Sequence, residues 1–366
     1  MKRFGIIGVA GFIAPKHVSA IKKTGNTLLA AVDPHDNVGY LDSFFPKAAF
    51  FTEFERFDRY IDKLTTKNKA LDYISICSPN YLHDTHIKSI LRWGADAICE
   101  KPVVLNPWNI DMLERVQRET GKSIWTILQL RLHPKIISLK EKVDNDNSDT
   151  TYDIDLNYIS ARGNWYYASW KGCDEKSGGI STNIGIHLFD MLCWVFGEPK
   201  ENIVHINNHD RASGLLVFRK ARVRWFLSIN ENHLPYEIKK KNLRTYRVMQ
   251  INNEVINFTD GFSDLHCLEY KNILDNKGHT LEDCKLGLEI TYNISSNGKI
   301  TVTTTLTEIS SSLPMMPKFG TNFIINKRYD NVKWYGRGPH ENYQDRKTSS
   351  LVGIYESKVS ELYYPY

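Results

Sequence analysis

Short apolar runs punctuate the first third of the chain: Phe4-Gly5-Ile6-Ile7-Gly8-Val9, Leu28 to Val32, Leu71 to Cys77, residues 96–99 and Ser123 to Gln129. Their shortness and mostly apolar character predict strands, the first of the kind buried on both faces. Between them, Lys16 to about Lys23, residues 55–66, residues 84–93 and Asn106-Pro107 through Thr120 predict helices, the last stopped by Gly121. Strand alternating with helix at this rhythm predicts a doubly wound parallel α/β sheet. Beyond Arg131 the pattern changes. Tyr152 to Ile159, then 202–207, 214–219, 222–229, 245–251 and 254–258, alternate with period two, which predicts an α+β domain whose open antiparallel sheet has one covered face. One helix interrupts these strands, from about Ser181 to Phe196, with Gly178-Gly179 ahead of it and Gly197 closing it.

A length of 366 residues predicts two domains with room for a real core. The formal charge of +5 is modest, and the basic run Lys239-Lys240-Lys241 with Arg244 and Arg247 reads as a solvated loop. Nucleic-acid binding would want a larger basic face with interleaved aromatics. Six cysteines without a C-x-x-C pair or ligand spacing predict buried reduced thiols and no metal. Met1-Lys2-Arg3 leads straight into a strand, and no run of eighteen apolar residues occurs, so a cytoplasmic, membrane-free location is expected.

Candidate chemistry gathers at strand ends. Ala97-Ile98-Cys99-Glu100-Lys101-Pro102 delivers a carboxylate and an ammonium where ligands of open parallel sheets sit, although a surface lysine heading a helix would look the same. Pro102 stiffens this stretch. Strand, glycine turn and helix succeed one another through Gly8, Ala10, Gly11, Phe12 and Ile13, an imperfect G-x-G-x-x-G. Asp33, about twenty residues on at the end of the next strand, can accept both adenosine ribose hydroxyls and disfavours a 2′-phosphate, which points to NAD over NADP. A strand-end aspartate capping a turn is the plainer alternative. On the helix of the second domain, Asn183 and His187 lie four apart, with Gly185 between them and Asp190 a turn further on. A histidine among apolar neighbours is also compatible with a satisfied core residue.

The glycine turn, the Glu100-Lys101-Pro102 run and the His187 helix together resemble the glucose-fructose oxidoreductase and inositol dehydrogenase (Gfo/Idh/MocA) family. Within it they are most similar to bacterial UDP-N-acetyl-2-amino-2-deoxyglucuronate 3-dehydrogenases of lipopolysaccharide and O-antigen synthesis. The matching stretches are Gly8 to His17, Ser75 to His83, Ile98 to Pro102, Ile127 to Arg131, Ser160 to Trp165, Ser169 to Gly172 and Thr182 to His187, within about the first 290 residues. The resemblance implies an α/β Rossmann domain holding NAD through Gly8, Ala10, Gly11, Phe12, Ile13, Asp33, Ser78, Asn80, His83, Glu100, Lys101 and Gln129. It implies hydride transfer from C3 of a UDP-sugar to NAD⁺, leaving a 3-keto sugar. His187 is the implied base, with Lys101 bonding the same hydroxyl and stabilising the developing alkoxide. Arg131, Arg162, Asn164, Trp165, Thr182 and Asn183 complete the implied substrate site, Arg131 or Arg162 gripping the uronate carboxylate in bidentate fashion. Arg162 and Trp165 equally fit structural places at a sheet edge. Many relatives carry an aspartate where this chain has Asn183, which cannot act as a base and is left a positioning role. Relatives form dimers or tetramers through the open sheet, and some recycle tightly held nicotinamide with a 2-oxo acid.

From about Ser295 the chain changes character. Asn297-Gly298 between Leu288 to Ile294 and Ile300 to Leu306 is a hairpin signal. Residues 281–294, with Leu281, Cys284, Leu288 and Ile290 or Ile294 on one face, also fit the family's closing helix, and the two readings exclude each other. Leu313 to Lys318 and Trp334 to Lys347 resemble part of the C-terminal β-sandwich of large β-galactosidases, without the barrel that carries their catalytic glutamates. The expected organisation is therefore 1–130, an NAD-binding domain; 131–290, a substrate-binding and oligomerisation domain; and 291–366, an incomplete sandwich without galactosidase activity. Such a tail fits an accessory module or the product of a fused or frameshifted gene. Two other functions compete: a vestigial dehydrogenase carrying a carbohydrate-binding or scaffolding fragment, and a dehydrogenase of a free cyclitol or sugar.

Overall fold

Strands β1 (Arg3–Ile7), β2 (Thr27–Val32), β3 (Ala49–Phe51), β4 (Tyr73–Ile76), β5 (Asp96–Cys99) and β6 (Ile124–Thr126) pair in the order β3-β2-β1-β4-β5-β6, every pairing parallel. They belong to a computed structural model that describes residues 1–148, 150–252, 254–262, 264–295, 331–338 and 351–358. Helices Ala14–Lys23, Phe54–Thr66, His83–Arg92 and Asn109–Thr120 supply the crossovers. One layer buries Phe57, Ile61, Ile87 and Leu113 against Ile74 and Ile76, and the other buries Val18 and Ile21 with Phe4 and Ile6. Coverage on both faces is why β1, β4 and β5 read as mostly apolar runs.

The strand order reverses between β1 and β4, where a doubly wound sheet opens a crevice. Ile7 pairs with Ile76, Ile76 with Cys99 and Cys99 with Thr126, so four strand ends align. Gly8, Cys77, Glu100 and Ile127 therefore start four loops on one edge.

The second sheet has the order β12-β11-β7-β10-β9-β8, built from β7 (Tyr152–Ser160), β8 (Glu201–Asn207), β9 (Arg211–Val217), β10 (Ala221–Ser228), β11 (Thr245–Ile251) and β12 (Glu254–Asn257). It is mixed, not wholly antiparallel: β7 and β10 pair in parallel from Tyr152–Ala221 to Ile159–Ser228. Alternation reports only that one face is covered and is blind to pairing direction. The covered face packs Ile154, Leu156, Val223, Trp225, Leu227 and Met249 against the helices Pro134–Asp144 and Ile186–Phe196. Phe189 meets Trp225 edge-on at 5.0 Å.

The single helix expected from Ser181 to Phe196 is two, Gly179–Asn183 and Ile186–Phe196, with a 44° bend across the break. At the break, a Cβ on Gly185 would lie 2.4 Å from Ser181 O and 2.8 Å from Phe189 Cε2, so only glycine fits. Asn183 and His187 thus do not share a face of one straight helix. Among the described residues no single helix is long and apolar enough to cross a membrane.

Leu281–Ser295 is a helix, which decides between the two readings of that segment. The Asn297-Gly298 hairpin falls outside the described residues. The chain divides into two compact units, Met1–Ile300 and Thr301–Tyr366. In the second unit, β13 (Asn331–Gly338) and β14 (Leu351–Lys358) form an antiparallel pair.

Candidate functional site

Gly8 takes φ +81°, and a Cβ there would fall 2.4 Å from Ser78 N, so the chain leaves β1 pressed against the backbone that leaves β4. Gly11 N donates to Gly8 O at 3.0 Å, closing the turn, and a Cβ on Gly11 would lie 3.0 Å from the same oxygen. Ala14–Lys23 begins directly behind it, so the positive end of its dipole faces the crevice. Phe12 is 95% exposed beside this turn. Asp33 is buried, its carboxylate accepting Ala10 N at 3.0 Å and His35 N at 2.9 Å, and so both caps the turn and leaves lone pairs for further donors. A bare backbone turn, a helix start and a buried carboxylate are the parts a dinucleotide needs, and Gly8, Gly11 and Asp33 fit NAD.

Lys101 and His187, far apart along the chain, line one small cavity with Leu128, Leu130, Ile186 and Asp190. Lys101 follows β5 and precedes a cis peptide to Pro102. Its Nζ donates to Asn183 O at 2.8 Å. In an unbroken helix that carbonyl would accept from His187 N, but the bend sends His187 N towards Ile184 O at 3.4 Å and leaves Asn183 O for the lysine. Burial lowers the Lys101 ammonium and the Arg162 charge lowers it further, while Glu100 works the other way. His187 is pushed well below the usual histidine range by burial and by the Lys101 charge, so its imidazole is held neutral.

The other strand-end residues are engaged in bonds within the protein. Glu100 Oε1 accepts from His17 Nε2 at 2.9 Å and from His266 Nε2 at 3.1 Å. His17 Nδ1 lies 2.7 Å from Tyr270 OH, which lies 2.6 Å from Ser75 Oγ. Burial alone would raise the Glu100 carboxyl, but the two histidine bonds hold it well below the ordinary carboxylate range. Gln129 reaches the same network, its amide 3.1 Å from His266 Nε2. His83 sits between two carbonyls, Pro102 O at 2.7 Å and Ser78 O at 2.9 Å, tying the loop after β4 to the loop after β5. Ser78 Oγ meets His86 Nδ1 at 2.9 Å. Asn80 Nδ2 donates to Ser177 O at 3.0 Å and Asn183 Oδ1 at 3.2 Å, linking the nucleotide-binding edge to the second sheet's helices.

Arg131 corrects the expectation that it grips a substrate carboxylate. Its guanidinium is buried, with Nε and Nη2 on the two oxygens of Asp190 at 3.0 and 2.7 Å and Nη1 on Asp283 Oδ1 at 3.1 Å. The planar fork is filled, so Arg131 fastens the end of β6 to the helices Ile186–Phe196 and Leu281–Ser295. Arg162 is half-buried without an ion pair among the described residues, and its neighbours include Tyr158, Tyr166 and Arg247. Asn164 opens the short helix Asn164–Ala168, Trp165 is 56% exposed on it, and Thr182 is buried beneath Gly178.

Three residues near the crevice carry no signal in hydrophobic pattern or spacing. Tyr166 OH accepts Asn183 Nδ2 at 2.9 Å. Arg247 lies between the rings of Tyr158 and Phe262, 4.9 and 4.6 Å from their centroids. Lys171 lies 4.0 Å over the Trp170 ring and feels the charges of Lys101 and Arg162. Only the stretch Ser169 to Gly172, noted for its resemblance, touches this last residue.

Residues 2–127 match the family model described as "Oxidoreductase family, NAD-binding Rossmann fold", residues 136–227 the "GFO/IDH/MocA C-terminal domain", and residues 207–366 the "Beta galactosidase small chain". The WlbA (WbpB) dehydrogenase from Thermus thermophilus, solved with NAD and UDP-GlcNAcA, is 41% identical, with a TM-score of 0.78 over 85% of this chain and 97% of that one. The same protein solved with NAD and alpha-ketoglutarate gives 0.79 over 83% and 97%. A β-galactosidase of Priestia megaterium is 29% identical over 173 residues, 47% of this chain and 16% of the relative. A D-glucoside 3-dehydrogenase of Escherichia coli is 26% identical over 140 residues, 38% of this chain and 40% of the relative. The chain thus spans less than half the length of these curated relatives.

Proposed function

The chain belongs to the Gfo/Idh/MocA family of NAD-binding oxidoreductases, and from that premise we propose that it oxidises the C3 hydroxyl of a UDP-N-acetylglucosaminuronate-type sugar nucleotide to the 3-keto sugar. The observation that carries the reading is the meeting of Lys101 and His187 around one small cavity just beyond the carboxyl end of β5. The 41% identical Thermus dehydrogenase, solved with NAD and UDP-GlcNAcA, supports the choice of substrate.

Gly8, Gly11, the start of Ala14–Lys23 and Asp33 would hold NAD, which when bound supplies the acceptor for the C3 hydride. His187, kept neutral, takes the C3 hydroxyl proton. Lys101 donates to the same oxygen and stabilises its developing negative charge, and the Asn183 carbonyl fixes the direction of its ammonium. Asn183 has no proton-accepting role and orients Lys101, Asn80 and Tyr166. A 2-oxo acid would fit as the oxidant that regenerates the cofactor, in line with the alpha-ketoglutarate complex of the same relative. Cytoplasmic surface-polysaccharide synthesis and self-association through the second sheet belong to the same reading.

The test is direct. The purified full chain is incubated with NAD⁺, 2-oxoglutarate and UDP-N-acetylglucosaminuronate, and the sugar nucleotide is weighed for the loss of two hydrogens. No mass loss with correctly folded, nicotinamide-binding protein would sink the oxidation reading. A second reading, a non-catalytic dehydrogenase joined to a galactosidase-like fragment, draws on the match over 207–366, and that same outcome would favour it.

A further inference from the structure

Glu100 and Lys101 are consecutive residues beyond β5, their Cα atoms about 3.8 Å apart, yet they answer to different partners. Lys101 Nζ donates to Asn183 O, whereas Glu100 is held by the helices Ala14–Lys23 and Leu265–Leu274. An ionised carboxylate oxygen only accepts, so His17 and His266 each direct their Nε2–H at Glu100 Oε1. His17, kept neutral by burial, then presents Nδ1 as an acceptor. The Tyr270 hydroxyl donates to it at 2.7 Å, and Ser75 Oγ donates to the Tyr270 oxygen at 2.6 Å. Every hydrogen in this buried chain points towards one oxygen. A proton added at His266 Nδ1 would find no acceptor, because that atom is buried without a partner. The cluster therefore carries one negative charge, that of Glu100, and no counterion of its own.

Positive charge collects on the Lys101 side. Lys101 and Arg162 take part in no ion pair among the described residues, and the Arg162 charge already bears on Lys101. Of the other carboxylates at this edge, Asp190 is matched to Arg131 and Asp33 lies at the glycine turn. Oxidised nicotinamide is itself a cation, while the reduced ring is neutral. A hydride leaving a C3 whose hydroxyl meets Lys101 and His187 obliges the ring to lie beside Lys101, where a third positive charge needs an anion close by.

We infer that Glu100, its charge fixed by the N–H groups of His17 and His266, is the residue through which this site favours oxidised over reduced nicotinamide. The inference rests on the sugar-oxidation reading for the place of the ring. Beyond that reading, it gives the buried histidine cluster a task in cofactor choice.

Equilibrium binding of NAD⁺, NADH and ADP-ribose to the nucleotide-free full chain tests it. Glu100→Gln keeps an oxygen for both histidines and removes the charge. NAD⁺ should then weaken relative to NADH by about fivefold to twentyfold, the effect of a unit charge roughly 9 Å away at an effective dielectric constant of about 20–40. ADP-ribose, which has no nicotinamide, should bind nearly as before. Lys101→Met removes the opposing cation one residue on and should move the same ratio the other way, a reversal that loosened packing would not produce. An unchanged ratio in Glu100→Gln, or equal weakening of all three ligands, overturns the inference. So does stoichiometric metal that is lost in Glu100→Gln. The donor atoms of His17, Glu100 and His266 lie within 4.8 Å of one another, and a cation held there would cancel the charge. If the ratio shifts as expected while no sugar is oxidised, the inference stands and the oxidation reading falls. If oxidation proceeds with the ratio unmoved, the inference alone falls.

Discussion

Lys101 Nζ lies 2.8 Å from the carbonyl oxygen of Asn183, a bond that exists because the helix breaks at Ile184 and Gly185. Strand end and helix end are thereby locked together, and the ammonium gains a fixed direction. With no ion pair to it among the described residues, it is available to an oxygen that becomes negative during reaction.

Replacing Lys101 by Met should therefore lower kcat by about a hundredfold to a thousandfold, as loss of one oxyanion donor does, while NAD binding is kept. Single-turnover oxidation and nicotinamide binding measured on the same preparation check both halves. Full activity in Lys101→Met would remove the lysine from the chemistry.

The pH dependence follows from His187. A base must be unprotonated, and burial together with the Lys101 charge lowers its pKa, so activity should persist below the usual histidine range and fail only on the acid side. In Lys101→Met the repelling charge is gone, the imidazole binds its proton more readily, and the titration should move to higher pH. NMR titration of the His187 ring in the native and Lys101→Met proteins reads this directly. A shift to lower pH would contradict the assignment.

At the glycine turn, Gly8→Ala should abolish nicotinamide binding, because the new methyl would meet Ser78 N at 2.4 Å from a backbone at φ +81°. Asp33→Asn acts more gently. It removes a charge that opposes a 2′-phosphate while keeping an oxygen for Ala10 N, so NADP should gain about tenfold relative to NAD. Calorimetry with the two cofactors distinguishes the variants.

Much of this was legible in residue order, and the exceptions share a cause. Apolar runs such as Leu28 to Val32 announce strands covered on both faces, and the Gly8 turn announces where the order reverses. The parallel β7–β10 pairing was not legible, because side chains alternate identically in either direction. The three-residue β3 is too short to display a period. The break at Gly185 was hidden as well, since a side chain there would meet Ser181 O, Phe189 and Leu227, and the last is a neighbour only in space. Arg131 misled for a similar reason: an arginine at a strand end looks like a ligand grip until Asp190 and Asp283 are brought to it.

That last pairing sets one more measurable difference. Arg131 and Asp190 are both buried, and deleting one partner leaves the other charge without its counterion, a loss of about 3–5 kcal/mol for pairs of this kind. Arg131→Met should therefore lower the urea midpoint of the first unit clearly. Replacing Arg131 and Asp190 together by Met and Leu should recover part of that loss, because no lone buried charge remains. Were Arg131 a substrate grip instead, Arg131→Met would raise the KM for the acid sugar with little effect on unfolding, and the double substitution would recover nothing. Urea unfolding and substrate binding on the same three proteins decide it, because a fastener and a grip predict opposite patterns in the two measurements.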